Sequence, residues 1–397
     1  MEKVLFITNR LRPSTNAEAF QSTMIAKYLS ENCEVHVLST TETPTDIGKS
    51  VHHFIPSRPD RSFGSKMDSL NSRLGRNVKA TFPDAHAGWV FEAVRKASTL
   101  ITDKKIDTVI TRSMPTSTHL IGLQVKEHHP GVRWVASMSD PMSINPYVRY
   151  SSKALESRIA EFEKDIFAKA DIVTHSNSFA IEAYRRTYGN LPSKHIVLSN
   201  MFDREPVVKI RHIRSGDGPM LLTYAGRFYG RRTPEALFKA IRMFLDSGGS
   251  LKLNIVGAGK SRRLDGLVKK YGLSDIVEHK PFLEPEQLAA LLVASHILVT
   301  IDGDFPEDNI FLPSKIIDYL SMTVPILGIT KKGPTATLIE ETRTGYWMEP
   351  SKVEGISQLL ENHLTKVKEG YDFSPDYDAV MAYHAKNVMN KFWARVK

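Results

Sequence analysis

The sequence predicts an α/β protein with two Rossmann-like domains facing each other across a cleft. At 397 residues the chain is longer than one ordinary hydrophobic core, which favours two domains of roughly 150–200 residues each. Short apolar strands alternate with amphipathic helices, the pattern of parallel sheets with crossover helices. The alternation restarts at residues 220–225, after a segment at residues 204–219 that is rich in basic residues, glycine and proline. We therefore expect an interdomain linker there.

Composition narrows the class of protein. Hydrophobic residues make up 41% and charged residues 24% of the chain, as in globular proteins. The single Cys33 excludes an intrachain disulfide framework. The first residues, MEKVLFITNR, do not resemble a signal peptide, and no window approaches the ~20 apolar residues of a membrane span. We therefore expect a cytoplasmic protein.

The formal net charge of +9 requires a negatively charged partner. Nucleic acid, anionic lipid and a phosphorylated substrate are the three candidates. The sequence contains no zinc-finger spacing, RNA-binding aromatic signature or basic heptad region, so we expect no nucleic-acid partner. The charge therefore favours phosphate and lipid.

A basic amphipathic helix is predicted over residues 58–79, from Arg58 to Lys79. The range contains six basic and two acidic residues. Its apolar residues are spaced by three or four positions: Phe63, Met67, Leu70, Leu74 and Val78. This pattern is typical of a helix that lies on an anionic membrane surface. In the alternative interpretation, the apolar stripe packs on its own domain.

The first half of the chain contains a series of predicted strands, at residues 3–8, 34–39, 51–56, 106–111 and 134–138. Helices are predicted at residues 17–30, 153–169 and 177–188. In open α/β sheets, ligands bind at the carboxyl ends of the strands. Arg10 is therefore a candidate anion contact, and Asp140 is a candidate to orient or deprotonate a hydroxyl. The alternatives are a solvated loop arginine and an ordinary turn aspartate before proline.

In the second half, residues 312–328 read LPSKIIDYLSMTVPILG and are predicted as a loop and helix between the strands at residues 297–301 and 324–329. At about 100° per residue, the helix has two faces. Ile316, Ile317 and Leu320 face the sheet, while Ser314, Lys315 and Asp318 lie opposite. A hydroxyl, a cation and a carboxylate near a helix N-terminus suit a phosphate and a sugar diol. An ordinary solvated helix face is the alternative.

The segment PSKIIDYLSMTVPIL resembles the PSKxxEYLxxGxPIL segment of retaining glycosyltransferases of family-4 type, which have the GT-B fold and assemble bacterial polysaccharides. GRFYGRRTP resembles the Gly-Arg-Leu-x4-Lys-Gly segment of that family, and GAGKSRRL resembles its Val-Gly-x-Gly segment. The resemblance is strong in residues 220–330 and loose in residues 1–210. The sequence departs from it at Ile310, where the family has the first glutamate of a Glu-x7-Glu pair, and at Arg112, where many members have histidine.

The resemblance implies roles for individual residues. Arg227 and Arg232 would hold the donor diphosphate and stabilise its departure, and Asp318 would bind the ribose. The other implied donor-site residues are Gly226, Gly257, Ser314 and Lys315. The residues implied for the acceptor or phosphate side are Arg10, Asn16, Arg112 and Ser113. Asp140, Arg227 and Arg232 are the candidate catalytic residues.

The implied fold is GT-B, with an acceptor-side domain at residues 1–205, a nucleotide-sugar-binding domain at 206–374 and a helix at 375–397 that returns to the first domain. The implied reaction transfers a hexosyl group, with retention, from a nucleotide diphosphate sugar to a hydroxyl of a sugar or lipid-linked sugar, in cell-surface polysaccharide biosynthesis. The sequence has no His, Cys or carboxylate cluster with metal-ligand spacing, and its cations can replace a metal. We therefore expect no metal and no cofactor. We also expect the protein to lie in the cytoplasm or peripherally at the inner face of the membrane.

Two alternatives remain open. A nucleotide-sugar 2-epimerase shares the fold and the ligands, although its acid/base residues have no clear counterpart in this sequence. A catalytically decayed, membrane-associated binding protein is suggested by Ile310, by Arg112 and by the absence of glycine from the turn at residues 14–16.

Overall fold

The computed structural model describes residues 2–57, 62–73, 77–204, 208–216, 218–259, 261–305 and 309–397. The chain forms two compact α/β units. Unit 1 extends to Asp203 and also includes Ala385–Lys397, and unit 2 comprises Arg204–His384. Residues 385–397 therefore belong to the same unit as the first 203 residues.

Unit 1 is built around a parallel sheet. Its strands, within the described ranges, are β1 (Lys3–Thr8), β2 (Glu34–Ser39), β3 (Val51–Phe54), β4 (Val78–Lys79), β5 (Thr108–Arg112), β6 (Arg133–Ser137), β7 (Arg149–Tyr150), β8 (Ile172–His175) and β9 (Lys194–Val197). The sheet order is β3-β2-β1-β5-β6-β8-β9, while β4 and β7 pair separately. The order reverses between β1 and β5, which creates a topological switch point.

The helices of unit 1 cover both faces of this sheet, so its central strands are buried and nearly continuously apolar. The described helices are α1 (Ala17–Leu29), α2 (Phe63–Arg73), α3 (Val90–Lys104), α4 (Ser117–His128), α5 (Lys153–Lys169), α6 (Ser178–Tyr188) and, at the end of the chain, α14 (Ala385–Val396). Phe392 and Trp393 of α14 are each 2% exposed and lie in the same apolar cluster as Leu29 of α1. Helix α14 is therefore an integral part of the unit 1 core.

Unit 2 repeats the architecture. Its described strands are β10 (Arg211–Ile213), β11 (Met220–Ala225), β12 (Leu251–Val256), β13 (Val277–Lys280), β14 (Ile297–Ile301), β15 (Ile326–Ile329), β16 (Gly345–Met348) and β17 (Tyr371–Phe373). The parallel sheet has the order β13-β12-β11-β14-β15-β16, and β10 pairs with β17 in an antiparallel ribbon. The switch point of this sheet lies between β11 and β14.

The helices of unit 2 pack on its sheet through amphipathic faces. Those described are α7 (Glu235–Asp246), α8 (Arg262–Lys270), α9 (Pro285–Val293), α10 (Ser314–Leu320), α11 (Pro334–Thr342), α12 (Val353–Glu369) and α13 (Tyr377–Met381). In α7, Leu237, Phe238, Ile241 and Phe244 recur at helical spacing and are completely buried or nearly so. Burial of this stripe holds α7 against the sheet.

Several predicted boundaries differ from the structure. The segment predicted as a linker contains β10, which pairs with β17 far along the chain. The helical segment predicted at residues 375–397 is divided into α13, in unit 2, and α14, in unit 1. The strand predicted from residue 324 begins at Ile326, because Thr323 has a φ of 51°, a turn conformation that precedes the strand.

The predicted amphipathic helix at residues 58–79 is described only in part, because residues 58–61 and 74–76 lie outside the described ranges. Helix α2 covers Phe63–Arg73, and the prediction that the helix reaches Lys79 is wrong, since Val78–Lys79 is strand β4. Phe63 is 79% and Leu70 is 48% exposed. Two residues of the apolar stripe are therefore open to solvent, while Met67 and Val78 are half-buried and Leu74 lies outside the described ranges. Among the described helices, none has the length and apolar character of a membrane span.

Candidate functional site

A group of charged side chains in unit 2 lies in the segments that follow β11 and β14. The loop after β11 carries Arg227 and Arg232, Asp302 directly follows β14, and Lys315 lies in the first turn of α10. The carboxyl ends of parallel strands meet at one edge of a sheet, and the crevice is widest at the switch point. The fold thus brings together residues that lie far apart in sequence.

Lys315 lies over the face of Tyr224. Its Nζ is 3.7 Å from the ring centroid, and this atom has no hydrogen-bond partner among the described residues. Tyr224 is completely buried, donates a hydrogen bond to the carbonyl of Arg227 (3.1 Å) and stacks on Phe228. Burial lowers the pKa of Lys315 well below its usual value, and the nearby charge of Arg232 lowers it further. A bound anion would restore the charged form.

Gly226 makes room for this lysine. Its φ is 131°, a conformation that residues with a Cβ rarely adopt. A Cβ at this position would also lie 3.3 Å from Nζ of Lys315. Glycine is therefore favoured at position 226 for two reasons: the backbone turn needs a positive φ, and a side chain would crowd Nζ of Lys315.

Asp302 is a residue that the sequence analysis missed. It is 4% exposed and accepts hydrogen bonds from Asn309 Nδ2 and Thr330 Oγ1, both at 2.8 Å. Burial raises its pKa, while the hydroxyl of Thr335 and the charge of Arg232 act in the opposite direction. The available sequence signal was an aspartate directly after a fully buried strand. This carboxylate partly balances the cations and fixes the loops after β14 and β15.

The two predicted arginines lie on one loop but in different surroundings. Arg227 is exposed. Arg232 is half-buried, its guanidinium lies 4.9 Å from the ring centroid of Tyr229, and its charge acts on both Asp302 and Lys315. The arginines are positively charged without a ligand, and Lys315 would regain its charge when an anion binds, so this edge of unit 2 favours an anionic ligand.

Helix α10 has the two faces predicted from its sequence. Ile316, Ile317 and Leu320 are buried, Ser314 and Lys315 are half-buried, and Asp318 is exposed. Surrounding protein atoms raise the pKa of Asp318 to about 7, opposed by the charge of Arg204. The side chain nevertheless remains open to solvent and to a ligand. Because α10 is only seven residues long, we expect the side-chain cations, more than its dipole, to attract an anion.

Gly257 follows β12 at the same edge of the sheet. Its φ is 71°, and a Cβ there would meet no atom within 4 Å. Its amide donates to the carbonyl of Lys280 at 3.1 Å. The space above this turn is therefore open, next to the cations on the loop after β11.

In unit 1, the switch point carries an ion pair. Arg112, at the end of β5, is 4% exposed, and its Nη2 lies 3.4 Å from Oε2 of Glu18. Its Nη1 donates to Ser137 Oγ at 3.2 Å. Burial raises the pKa of Glu18 to about 7, Arg112 lowers it and Asp140 raises it. The sequence analysis missed Glu18, because nothing local connects it with Arg112.

The other predicted site residues of unit 1 differ in their exposure and in their hydrogen-bond contacts. Asn16 caps α1, since its Oδ1 accepts from the amide of Ala19 at 2.7 Å. Ser113 is buried, and its Oγ accepts from the amide of Ser139 at 3.3 Å. Arg10 and Asp140 are exposed. Asp140 lies close enough to Glu18 to affect its pKa, whereas Asn16 and Ser113 have well-defined structural contacts.

Glu163 anchors the loop that follows Asp140. The carboxylate is completely buried and accepts hydrogen bonds from the hydroxyls of Ser143, Tyr184 and Tyr188 and from the amide of Met142. Burial raises its pKa, and these hydrogen bonds partly offset the effect. The loop is therefore tied to α5 and α6 rather than being free to move. No group of three or more His, Cys, Asp or Glu residues in the described ranges is arranged to hold a metal ion.

Comparison with known proteins finds sequence similarity over part of the chain and similarity of fold over the whole chain. Residues 209–373 match the family model described as "Glycosyl transferases group 1". A D-inositol 3-phosphate glycosyltransferase of Streptomyces avermitilis is 25% identical over 150 residues, covering 35% of this chain and 31% of the relative. The putative colanic acid biosynthesis glycosyltransferase WcaL of Escherichia coli K12 is 21% identical over 175 residues, covering 43% of this chain and 42% of the relative. The chain thus matches less than half the length of either relative.

A solved structure resembles the chain over its full length. Anabaena HepE, in complex with UDP and glucose, has a TM-score of 0.66 at 12% identity, covering 100% of this chain and 99% of that chain. At this identity the likeness concerns the fold. The chain therefore has the GT-B fold, and its residues 209–373 match the group 1 glycosyl transferase family model.

Proposed function

We propose that the protein is a glycosyltransferase that moves a sugar from a nucleotide diphosphate sugar to an acceptor hydroxyl. The observation that carries the proposal is the cluster of Arg227, Arg232 and Lys315 at the switch point of unit 2, within the segment that matches the glycosyltransferase family model. A diphosphate is bound by cations at one edge of a site, and these residues come from segments that meet at the same edge of the sheet. The family match supports this function over the 2-epimerase alternative.

In this proposal, each side chain of the donor site has a distinct role. Arg227 and Arg232 bind the diphosphate, and their charges stabilise the negative charge that accumulates on it as the glycosidic bond breaks. Lys315 adds a third cation when the anion binds. Asp318 accepts hydrogen bonds from the ribose hydroxyls, and Gly226 and Gly257 leave space for the nucleotide.

Further details of the reaction rest on the family resemblance and on the charges of the site. We propose that transfer proceeds with retention and that it needs no metal, because the cations neutralise the leaving group. The acceptor is a sugar or a lipid-linked sugar, and Asp140 orients or deprotonates its hydroxyl. The alignment with WcaL, whose name refers to colanic acid biosynthesis, supports a role in cell-surface polysaccharide assembly.

The test is incubation with UDP-, GDP-, ADP- and TDP-hexoses, with mass spectrometry and NMR analysis of the products. We expect one donor class to be consumed, by transfer or by slow hydrolysis, with the α or β configuration of the donor preserved. Adding EDTA should leave the rate unchanged. A free epimer as the product, an inverted configuration, or loss of turnover with EDTA would each contradict the corresponding part of the proposal.

We also propose that the protein works in the cytoplasm and binds peripherally to anionic membranes through α2. The exposed Phe63 and Leu70 lie on the same helix as Lys66 and Arg73. The helix therefore offers both apolar and basic side chains to a membrane surface. In co-sedimentation with vesicles, Phe63→Ser/Leu70→Ser should reduce binding to phosphatidylglycerol about tenfold or more, given the ~1.5–3 kcal/mol of burying each side chain. Phe91→Ser is the matched control, since Phe91 is also 79% exposed in unit 1. Equal losses in both variants would contradict a specific role for α2.

A further inference from the structure

The proposed reaction leaves one buried carboxylate of unit 1, that of Glu163, without a role. This residue lies on α5 and is 0% exposed. Four donors point at its carboxylate: the hydroxyls of Ser143, Tyr184 and Tyr188 and the amide of Met142. These donors are neutral groups, and burying a carboxylate among neutral groups is unfavourable compared with an apolar side chain. The presence of Glu163 therefore points to a purpose other than stability.

The Glu163 network holds the loop that contains Asp140. Met142, two residues after Asp140, is 5% exposed, and its amide nitrogen lies 3.1 Å from Oε1 of Glu163. On the other side, Ser139 is 7% exposed, and its hydroxyl donates to the carbonyl of Ser113 at 2.8 Å. Asp140 itself is exposed. The backbone is thus fixed on both sides of an accessible carboxylate.

A further tie reaches the same loop from β7. The hydroxyl of Tyr150, in β7, donates to the carbonyl of Met142 at 3.1 Å. Strand β7 pairs with β4, and Nδ2 of Asn77, just before β4, donates to the carbonyl of Tyr147. The Asp140 loop is therefore hydrogen-bonded to several neighbouring elements. A reacting side chain needs such support, because its geometry must be held within about 0.5 Å.

We propose that Glu163 is a positioning residue for the reaction, whose carboxylate holds the loop after β6 so that Asp140 reaches the acceptor hydroxyl. This inference rests on the proposed function, in which Asp140 orients or deprotonates that hydroxyl. Asp140 affects the pKa of Glu18, which pairs with Arg112 at the end of β5, so the loop keeps Asp140 near the carboxyl ends of the strands. A misplacement of about 1 Å is enough to lower a rate about a hundredfold.

The release of nucleoside diphosphate from a hexose donor tests the inference. The rate is measured with whichever of the UDP-, GDP-, ADP- or TDP-hexoses the wild type consumes. Methyl glycosides of glucose, galactose, mannose and N-acetylglucosamine are present as acceptors, so transfer and hydrolysis are both counted. Glu163→Gln places an amide N–H against groups that donate, which loosens the loop. We expect kcat to fall about tenfold with KM for the donor unchanged.

Glu161→Gln is the matched control, because Glu161 is exposed on the same helix. It should leave kcat and KM unchanged. Thermal unfolding gives the folded fraction of each variant, and kcat is corrected for it. A lower kcat in Glu163→Gln then reflects the folded enzyme and not a loss of folded protein.

A double-mutant cycle distinguishes positioning from a purely structural role. Asp140→Asn alone should lower kcat about a hundredfold, within the range of general acid–base catalysis. If Glu163 acts through Asp140, Asp140→Asn/Glu163→Gln should lose no more than Asp140→Asn. Two unrelated effects would instead multiply to about a thousandfold.

If Glu163→Gln does not fold, Tyr188→Phe takes its place in the cycle. Tyr188 is half-buried, and this change removes one of the donors to the carboxylate. We expect a smaller fall in kcat, about threefold, with the same lack of additivity.

Three results would overturn the inference: wild-type kcat in the folded Glu163 or Tyr188 variant, wild-type kcat in Asp140→Asn, or losses that multiply in the double variant. Failure of the proposed function looks different, since the wild type itself would then consume none of the donors. In that case the inference is overturned together with the proposed function.

Discussion

Arg232→Ala is expected to abolish most of the stabilisation that the preferred nucleoside diphosphate gives the wild-type protein. At 100 times its dissociation constant, a ligand adds about 2.7 kcal/mol to the free energy of unfolding. If loss of the guanidinium weakens binding about a hundredfold, as a charged contact worth ~1.5–3 kcal/mol allows, the same concentration adds only about 0.4 kcal/mol. Thermal unfolding with UDP, GDP, ADP and TDP measures the difference directly.

Arg242→Ala is the matched control for this variant. Arg242 lies on α7 and forms an exposed pair with Asp246, four residues along the helix. Removing it should change stability by only a few tenths of a kcal/mol and leave nucleotide stabilisation intact. The donor-site assignment fails if Arg232→Ala keeps the full nucleotide shift, or if Arg242→Ala loses it to the same extent. Stabilisation of the wild type by none of the nucleotides would favour the decayed-site alternative.

Gly226→Ala is expected to lower the free energy of unfolding by about 1–3 kcal/mol, because alanine is strained at a φ of 131°. The added methyl group would also press on Lys315, whose Nζ lies 3.3 Å from the position of the Cβ. Nζ of Lys315 must then shift by a few tenths of an ångström on the face of Tyr224. We therefore expect this variant to lose stability in urea unfolding and also to bind nucleotide more weakly.

Gly266→Ala provides a control of opposite sign. Gly266 lies within α8, and a Cβ there meets no atom within 4 Å. Alanine should stabilise the helix by ~0.5–1 kcal/mol, with nucleotide binding unchanged. A Gly226→Ala protein that is as stable as the wild type and binds nucleotide normally would show that neither the turn nor the position of Lys315 depends on this glycine.

The sequence predicted the central strands and the faces of α10 well, because both depend on local periodicity. Strands β1, β2 and β14 begin and end at the predicted residues, since runs of buried apolar side chains define them. The prediction that Ile316, Ile317 and Leu320 are buried was also correct, because the spacing of residues along a helix decides which side chains share a face. The two Rossmann-like domains were predicted from the alternation of such elements, whereas the GT-B fold was implied by the family resemblance.

The charged partners within each site could not be predicted in this way. Asp302 acquires its role from Arg232 and Lys315, and Glu18 acquires its role from Arg112, a residue on another strand. Such pairs form only when the sheet order is known, because the order decides which strand ends are neighbours. The short ribbon of β10 and β17 escaped prediction for the same reason, since three residues give no periodicity and the pairing joins distant segments.

The position of α14 has a consequence for synthesis of the protein on the ribosome. Phe392, Trp393 and Val396 fill the core of unit 1, but they are translated only after the whole of unit 2. Unit 2 is contained in one continuous segment and can fold as soon as it has emerged, whereas the earlier-made part of unit 1 must wait with an uncovered apolar surface. Unit 1 is thus completed only after unit 2 has been made, and a premature stop before Ala385 would damage the unit whose strands were translated earlier.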